Sequence, residues 1–196
     1  MPSAHFQRAL ALIEAIHRED PHIETVDGVP WPGEALYAER VSAWVERLEP
    51  QASEPLRLAA RCQHLQRWAI PRESYPTGWA GYHQWRAAQA QAHARLAGAL
   101  LKEAGYDEPM IARVQSLIRK ERLRRDAEAQ CLEDAACLTF LEHALPEFAR
   151  RHDEAQVVDI LRKTWNKMSP RAREQALALE LAPPVRALVE RALSSG

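Results

Sequence analysis

Cysteine, lysine and long apolar runs are scarce in this sequence, and each scarcity argues against a class of protein. Only three cysteines occur, Cys62, Cys131 and Cys137, and no two of them form a CxxC pair. That usage argues against a disulfide framework or a zinc ribbon and favours a reducing cytosol. No segment approaches the roughly 20 consecutive apolar residues of a membrane-spanning helix, and the opening segment lacks the order of a signal peptide. We therefore expect a cytoplasmic protein that does not enter membranes.

An excess of charge of either sign is absent as well. The formal net charge is −1 and the isoelectric point is about 6.7, so the chain has no long-range basic field for general binding to nucleic acid or membranes. Any anionic partner must then be bound locally. Lysine occurs at only four positions, whereas arginine and alanine are abundant, which we attribute to the composition of a bacterial genome.

Helical periodicity is what the sequence does contain, over nearly its whole length. The 196 residues, 46% of them hydrophobic, suffice for one continuous core. Apolar residues recur at helical spacing, and strand-like alternation is almost absent. The sequence therefore predicts an all-α fold, a single-domain orthogonal helical bundle over residues 1–196, with no β-sheet.

Capping residues and prolines mark the predicted helix boundaries. Ser3, Ser53 and Ser169 are predicted helix starts, and Gly105 suits the left-handed position that ends a helix. Two prolines and two glycines in residues 70–81 predict a loop, and such loops often rim a site. The predicted helices run from Ser3 to about Asp20, from about Glu34 to Pro50, from Ser53 to Ile70, from about Tyr82 to Gly105, and from Asp107 through Ile118, followed by about 126–148 and by C-terminal helices within 153–193.

Asp134 is a polar residue where the periodicity demands an apolar one. Its helix stripe is otherwise formed by Ala127, Cys131, Leu138 and Leu141. Burying a carboxylate without a partner costs several kcal/mol or shifts its pKa strongly. Asp134 is therefore either a structural residue, at a solvent-facing turn or in an ion pair with an arginine, or a metal-binding or catalytic residue.

Two histidines occupy comparable positions. His93 lies on an apolar stripe and is either a core histidine with one hydrogen bond or a ligand. His64 lies at helical spacing from Arg57, Arg61 and Trp68, and this cationic stripe precedes the 70–81 loop. The stripe predicts a solvated face or a cleft with an anion-binding wall.

Further candidates come from the neighbouring positions. Gln63 lies on a third face of the same helix, where a buried amide needs hydrogen-bond partners. Lys120 follows an apolar helix three residues after Leu117, which places it well for the cleft. The remaining candidates for binding a nucleotide or RNA are Arg67, Arg72 and Lys163.

The order of these features resembles the HD superfamily of helical metal-dependent phosphohydrolases. Ala59-Ala60-Arg61-Cys62-Gln63-His64 is similar to the pattern that carries its histidine-aspartate pair. In the HD superfamily a second helix bears a histidine and a third carries the pattern Asp-Ala-Asp-x-Leu. His93 opens a segment similar to that second helix, and Asp134-Ala135-Ala136-Cys137-Leu138 is similar to the third. The resemblance covers about residues 34–145. It departs where Gln63-His64 replaces the pair, where Lys120 replaces a histidine of some members, and where no histidine lies near Arg40.

The resemblance implies an HD-like core and a hydrolase acting on a phosphate ester or nucleotide. His64, His93 and Asp134 would hold one divalent metal, since two imidazoles and a carboxylate are a common open-site set for zinc, iron or manganese. The metal would lower the pKa of a bound water to about 7. Gln63, Asp134 and Lys120 are the expected catalytic residues, and the expected substrate-binding residues are Arg57, Arg61, Arg67, Trp68, Arg72 and Lys163.

A second resemblance, over most of the chain, is to the family called domain of unknown function 4202. It is carried by the segments RLAARCQHLQRWAIPRESYP, GYHQWR, QCLEDAACLTFLE and KTWNKMS. This resemblance supports the helical fold and implies no established activity.

The alternative function is a non-catalytic helical module that binds a nucleotide, RNA or protein through the same cationic cleft. The segment Asn166-Lys167-Met168-Ser169 is similar to the phosphate-binding loop of class I aminoacyl-tRNA synthetases. The histidine-x-glycine-histidine signature and the Rossmann strands that accompany that loop are absent. A small phosphorylated ligand or nucleotide is therefore the expected partner, RNA is a second one, and a homodimer is compatible with the sequence.

Overall fold

The computed structural model describes residues 3–194 and is predominantly helical. Within that range the chain forms ten α-helices and one short β-hairpin. Apart from the hairpin, this is the all-α fold that the sequence predicts. No helix in this range is long and apolar enough to cross a membrane. The elements are α1 (Ala4–His17), β1 (Ile23–Val26), β2 (Val29–Pro32), α2 (Gly33–Leu48), α3 (Glu54–Arg61), α4 (Gly78–Ala104), α5 (Glu108–Ile118), α6 (Ala127–Thr139), α7 (Leu145–Arg151), α8 (Glu154–Trp165), α9 (Pro170–Leu177) and α10 (Pro183–Ser194).

The predicted helix caps are confirmed. The hydroxyls of Ser3, Ser53 and Ser169 each accept a hydrogen bond from a backbone N–H three residues later, at 3.1, 3.3 and 3.2 Å. Asp107 caps α5 in the same way. Gly105 ends α4 in the left-handed region, at φ 98°, where a side chain would be strained.

The expectation that no sheet forms is wrong at one place. β1 and β2 pair in antiparallel register, with Val26 opposite Val29, around a turn at Asp27-Gly28. Both turn residues have positive φ, 51° and 79°, which is the conformation that an Asp-Gly hairpin turn adopts. The hairpin leads directly into α2.

The third helix ends much earlier than predicted. α3 stops at Arg61, and the chain then turns through Gln66, whose φ of 52° lies in the left-handed region. Two short 3₁₀ turns follow, Arg67–Ala69 and Arg72–Ser74. Arg61 and His64 therefore do not lie on one face of a single helix, as the sequence had predicted.

The chain divides into two compact units, a first through Leu132 and a second from Glu133 onward. In the first unit α4 packs against α1 and α5, and α3 packs against α2 and α5. The α4–α5 contact is close because Gly98 has no side chain. A Cβ there would lie 2.3 Å from Nε2 of Gln115, which donates a hydrogen bond to the carbonyl of Ala94 at 2.9 Å.

The second unit begins within α6 and contains α7–α10. The predicted helix over about 126–148 is interrupted by a wide helical turn at Phe140–Ala144, after which Pro146 lies in the first turn of α7. α8 packs against α10, and Arg162 donates a hydrogen bond to the carbonyl of Ala192 at 3.2 Å.

Candidate active site around two anchored imidazoles

His64 lies just after the end of α3 and pairs with Glu34 in the first turn of α2. Its Nδ1 atom is 2.8 Å from Oε2 of Glu34, and both side chains are only 18% exposed. The ring of Tyr37 stacks on the imidazole at 3.8 Å, with 4° between the planes. The carboxylate and the phenol ring therefore fix the orientation of the His64 ring.

A buried carboxylate upstream positions Glu34. The carboxylate of Asp20 accepts hydrogen bonds from the backbone N–H groups of Glu34, at 2.8 Å, and His22, at 2.9 Å. Asp20 is 4% exposed and satisfies a free N–H at the start of α2, where Pro32 offers no side-chain cap. The hairpin and Asp20 together place the first turn of α2 beside His64.

His93 approaches from α4 and is the second anchored ring. It is 4% exposed, and its Nδ1–H donates to the carbonyl of Leu65 at 2.7 Å. Its ring centroid lies 5.9 Å from that of His64. The hydrogen bonds of both rings are made through Nδ1, so Nε2 of each ring is the nitrogen that a ligand would use.

Basic side chains surround the two rings. Nη1 of Arg67 is 3.2 Å from Nδ1 of His64, and its guanidinium lies over the ring of Trp85. Burial, followed by the charges of Arg67 and more distant groups, holds the pKa of His64 well below its usual range. Burial also lowers the pKa of His93 to about 4, with a smaller contribution from Arg67. Both imidazoles are therefore neutral near pH 7.

Two further cations reach this cluster. The charges of Arg86 and Lys120 also lower the pKa of His64, by less than burial and the charge of Arg67 do. Lys120 has a left-handed backbone, with φ of 55°, a conformation that costs free energy and is often found at functional sites. The role of Lys120 in the site stays a prediction.

Glu34 is the acidic member of the cluster. Burial raises its pKa from 4.5 to about 7, and the charge of Arg67 opposes that rise. Glu34 and His64 thus form a pair in which a carboxylate of raised pKa contacts an imidazole of lowered pKa. Such displaced values are characteristic of acid–base sites, although structural pairs also show them.

The turn that carries Arg67 is fixed to α4. Trp85 donates from Nε1 to the carbonyl of Ile70 at 2.8 Å, and Gln89 donates from Nε2 to the carbonyls of Arg67, at 2.8 Å, and Ile70, at 3.0 Å. Glu34, Tyr37, Trp85 and Gln89 are site residues that the sequence analysis missed. The sequence could have indicated Gln89 as a site residue, because it lies one helical turn before His93 on α4.

Other predicted residues have different surroundings. The guanidinium of Arg61 forms ion pairs with Glu14 and Glu39. Arg61 and Arg57 line a shallow depression of about 260 Å³ together with residues of α1 and α2. The imidazole of His64 instead pairs with Glu34. The expected single cationic stripe is therefore wrong, because α3 ends before His64.

Gln63, Trp68 and Arg72 lie between α3 and α4. Gln63 is buried as expected, and its Nε2 has no hydrogen-bond partner among the described residues. Trp68 is half-buried in the first 3₁₀ turn. Arg72 donates to the carbonyls of Tyr75, at 3.1 Å, and Pro76, at 2.9 Å, so its guanidinium closes the loop before α4.

Asp134 and Lys163 belong to the second unit. Asp134 is 4% exposed, as its stripe predicts, and its carboxylate accepts a hydrogen bond from the backbone N–H of Ser169 at 2.9 Å. Lys163 is exposed and pairs with Asp159 at 2.7 Å. The expectation that Asp134 acts together with His64 stays a prediction.

The fold and the geometry define a helical protein with two anchored imidazoles in a cationic setting. Residues 7–189 match the family described as domain of unknown function (DUF4202), and the chain belongs to this family. No curated protein and no solved structure matches the chain. The family predicted from the sequence segments is thus confirmed, whereas the HD-like resemblance stays a prediction.

Proposed function

We propose that this protein hydrolyses a phosphate ester at the paired imidazoles of the first unit. The observation that carries the proposal is the anchoring of both rings through Nδ1, to Glu34 for His64 and to a backbone carbonyl for His93. Each ring then offers Nε2 beside the charges of basic side chains. A neutral imidazole next to fixed positive charge suits general-base chemistry on an anionic substrate.

His64 is the base in this proposal. Its Nε2 accepts a proton from the water that attacks phosphorus, while the carboxylate of Glu34 accepts the Nδ1–H and stabilises the imidazolium that forms. The bond between phosphorus and the leaving oxygen breaks, and that oxygen takes the proton back from the imidazolium. Water and ester thereby become an alcohol and a phosphate.

The basic residues hold the phosphate in this scheme. Arg67, Arg86 and Lys120 bind its oxygens and stabilise the negative charge that develops on them in the transition state. His93 contacts the same oxygens through Nε2. Gln63 remains a candidate for orienting the attacking water, because its buried amide nitrogen has no partner within residues 3–194.

A divalent metal, zinc, iron or manganese, is implied by the HD-like resemblance. The anchoring of His64 and His93 through Nδ1 fits imidazole ligation, and Asp134 is the expected third ligand. Among residues 3–194, however, no three histidine, cysteine, aspartate or glutamate side chains are arranged to hold a metal, and the neighbouring cations oppose a dication. The donor set found here is incomplete for a metal, and no step above depends on one.

A phosphate-ester screen tests the proposal. Purified protein is offered p-nitrophenyl phosphate, bis(p-nitrophenyl) phosphate and nucleoside phosphates, with chelator or with added manganese, zinc or iron. We expect turnover of at least one ester that persists in chelator and is lost in His64→Ala. Binding of esters without turnover in every condition contradicts hydrolysis and favours the non-catalytic module for a nucleotide, RNA or protein.

The proposed setting is the bacterial cytoplasm, where phosphorylated metabolites and RNA are available as substrates. The state of the cysteines supports this setting. All three are free thiols, and burial raises the pKa of Cys62 to about 12. A buried protonated thiol of this kind is chemically inert.

A further inference from the structure

His17 is a buried histidine at the end of α1 that takes no part in the proposed chemistry. It is 2% exposed, and its Nε2 atom lies 3.0 Å from the carbonyl oxygen of Arg61, the last residue of α3. Burial lowers the pKa of His17, so the ring is neutral near pH 7 and carries a proton on one nitrogen only. Because a carbonyl oxygen only accepts, that proton lies on Nε2, which donates it to Arg61.

The other nitrogen of the ring shows that packing alone does not account for a histidine at this position. Nδ1 of His17 is a buried acceptor without a hydrogen-bond partner within residues 3–194. An unsatisfied buried polar atom costs free energy, and an apolar side chain of similar volume, such as leucine, would avoid that cost. The bond to Arg61 is therefore what the imidazole contributes here.

The carbonyl of Arg61 needs a donor from outside its own helix. In a continued α-helix the backbone N–H of Leu65 would bond this carbonyl, but it bonds the carbonyl of Cys62 at 3.4 Å instead. The last carbonyls of a helix must find other donors, and His17 supplies one from 44 residues away in sequence. The end of α3 is thereby fixed to the end of α1.

A second histidine holds the other end of this turn, residues 61–65, which we call the His64 turn. Nδ1 of His93 donates to the carbonyl of Leu65 at 2.7 Å. Imidazoles from α1 and α4 thus bind the carbonyls of the first and last residues of the His64 turn. The backbone is therefore held on both sides of His64.

The end of α1 also holds the partner of His64. The backbone N–H of Asp20 donates to the carbonyl of His17 at 3.2 Å, and the carboxylate of Asp20 accepts from the backbone N–H of Glu34 at 2.8 Å. Glu34 in turn binds Nδ1 of His64 at 2.8 Å. Residues 17–20 therefore hold both members of the acid–base pair, the carboxylate through Asp20 and the imidazole through His17.

We propose that His17 is a positioning residue, which sets the contact between Glu34 and His64 by holding the start of the His64 turn. The proposal rests on the proposed function, and His17 acts in it only through His64. Misplacing a reacting group by about 1 Å can reduce a rate about 100-fold, whereas binding of the substrate by the basic residues depends less on this contact. Loss of the His17 donor should therefore lower kcat and leave KM nearly unchanged.

Three variants separate positioning from general stability. His17→Leu keeps the volume of the side chain and removes the donor, whereas His17→Gln places an amide nitrogen near the position of Nε2. Ile13→Val, at a fully buried residue one turn earlier on α1, weakens packing without removing a hydrogen bond. The value of kcat for p-nitrophenyl phosphate should fall at least about tenfold in His17→Leu, return to within about threefold of the parent in His17→Gln, and be unchanged in Ile13→Val.

NMR of protein that carries isotope-labelled histidine tests the geometry without a substrate. In the parent, the ring proton should lie on Nε2 in His17 and on Nδ1 in His93. The Nδ1–H resonance of His64, bonded to Glu34, should shift in His17→Leu and return in His17→Gln.

Three results overturn the proposal. They are a parent protein with the His17 proton on Nδ1, a folded His17→Leu protein with the parental His64 resonance, and an equal loss of kcat in Ile13→Val and His17→Leu. The first needs no variant, so the proposal stays testable if His17→Leu does not fold. If the resonances behave as expected and no protein hydrolyses the ester, only the proposed function is contradicted.

Discussion

At the scale of single residues, the pair formed by Glu34 and His64 is the feature from which the proposed chemistry follows. Its two members come from elements that are 30 residues apart, and each is displaced from its ordinary pKa by burial. A buried carboxylate of raised pKa is costly when it is ionised. The pair therefore links stability and activity in opposite directions.

Glu34→Gln should stabilise the protein at high pH and slow hydrolysis. The pKa of Glu34 is raised from 4.5 to about 7, so its favourable contribution to folding exists below pH 4.5 and is lost as the pH rises through 7. At pH 8 the variant should gain up to about 3 kcal/mol in free energy of unfolding, and at pH 4 it should gain little. Urea denaturation at both pH values measures this, and equal effects at the two pH values would refute the assignment.

The same pair predicts the acid limb of the pH–rate profile. His64 stays neutral over the range because its pKa is lowered, whereas Glu34 must be ionised to hold the Nδ1 proton. The value of kcat/KM should therefore fall as the pH decreases through about 7. In Glu34→Gln that limb should disappear and leave a low, flat rate. A limb that is unchanged in the variant would assign it to another group.

His93 predicts a loss of stability in acid. Its pKa is lowered from 6.5 to about 4, so its contribution to folding is present above pH 6.5 and is lost as the pH falls towards 4. His93→Asn should reduce the dependence of the free energy of unfolding on pH over this range by about 2–3 kcal/mol. His83→Asn, a change at an exposed position of the same helix, is the control and should leave the dependence unaltered.

At the scale of elements, the loop before α4 depends on a close approach at Gly81. A Cβ at Gly81 would lie 1.8 Å from the carbonyl oxygen of Pro76, and Arg72 binds the same carbonyl. Gly81→Ala should displace the loop and cost about 1–3 kcal/mol. The midpoint of thermal unfolding should fall by several degrees, while Ala80→Ser at the exposed neighbouring position should leave it nearly unchanged. A stable Gly81→Ala variant would show that the loop does not pack as described.

Helix starts could be predicted from the sequence, because the signals that set them are local. Ser3, Ser53 and Ser169 each bond a backbone N–H three residues later. The end of α3 could not be predicted, because the left-handed turn at Gln66 has no local residue signature. The chain after this turn is held instead by Gln89 of α4, which donates hydrogen bonds to the carbonyls of Arg67 and Ile70.

The candidate site could be predicted only in part, for the same reason. His93 was identified as a polar residue on an apolar stripe and His64 as a member of a cationic stripe. Their ring centroids lie 5.9 Å apart, and Nη1 of Arg67 is 3.2 Å from Nδ1 of His64. Glu34 was missed because its position depends on Asp20, 14 residues away in sequence. Arg61 was assigned to the same stripe as His64 because the length of α3 was overestimated.

At the scale of the whole molecule, the metal implied by the HD-like resemblance is a separate question from the acid–base pair. The expected ligands are His64, His93 and Asp134. If they hold a metal, His64→Ala and Asp134→Asn should each abolish metal retention with little change in helicity. Metal content and far-UV circular dichroism of the parent and both variants measure this, with Asp159→Asn, an exposed carboxylate of α8, as control. Equal metal content in all four proteins would contradict the ligand set.

The most direct test of the central claim is the hydrolysis rate of the best phosphate ester in parent, His64→Ala and His83→Ala proteins of equal helicity. His64 supplies the general base, a contribution of about 10²–10⁴-fold, whereas His83 is an exposed residue of α4. With a small ester such as p-nitrophenyl phosphate, the rate should fall by at least about 100-fold in His64→Ala and should be unchanged in His83→Ala. A His64→Ala protein that folds and retains the parental rate would contradict hydrolysis at the Glu34–His64 pair.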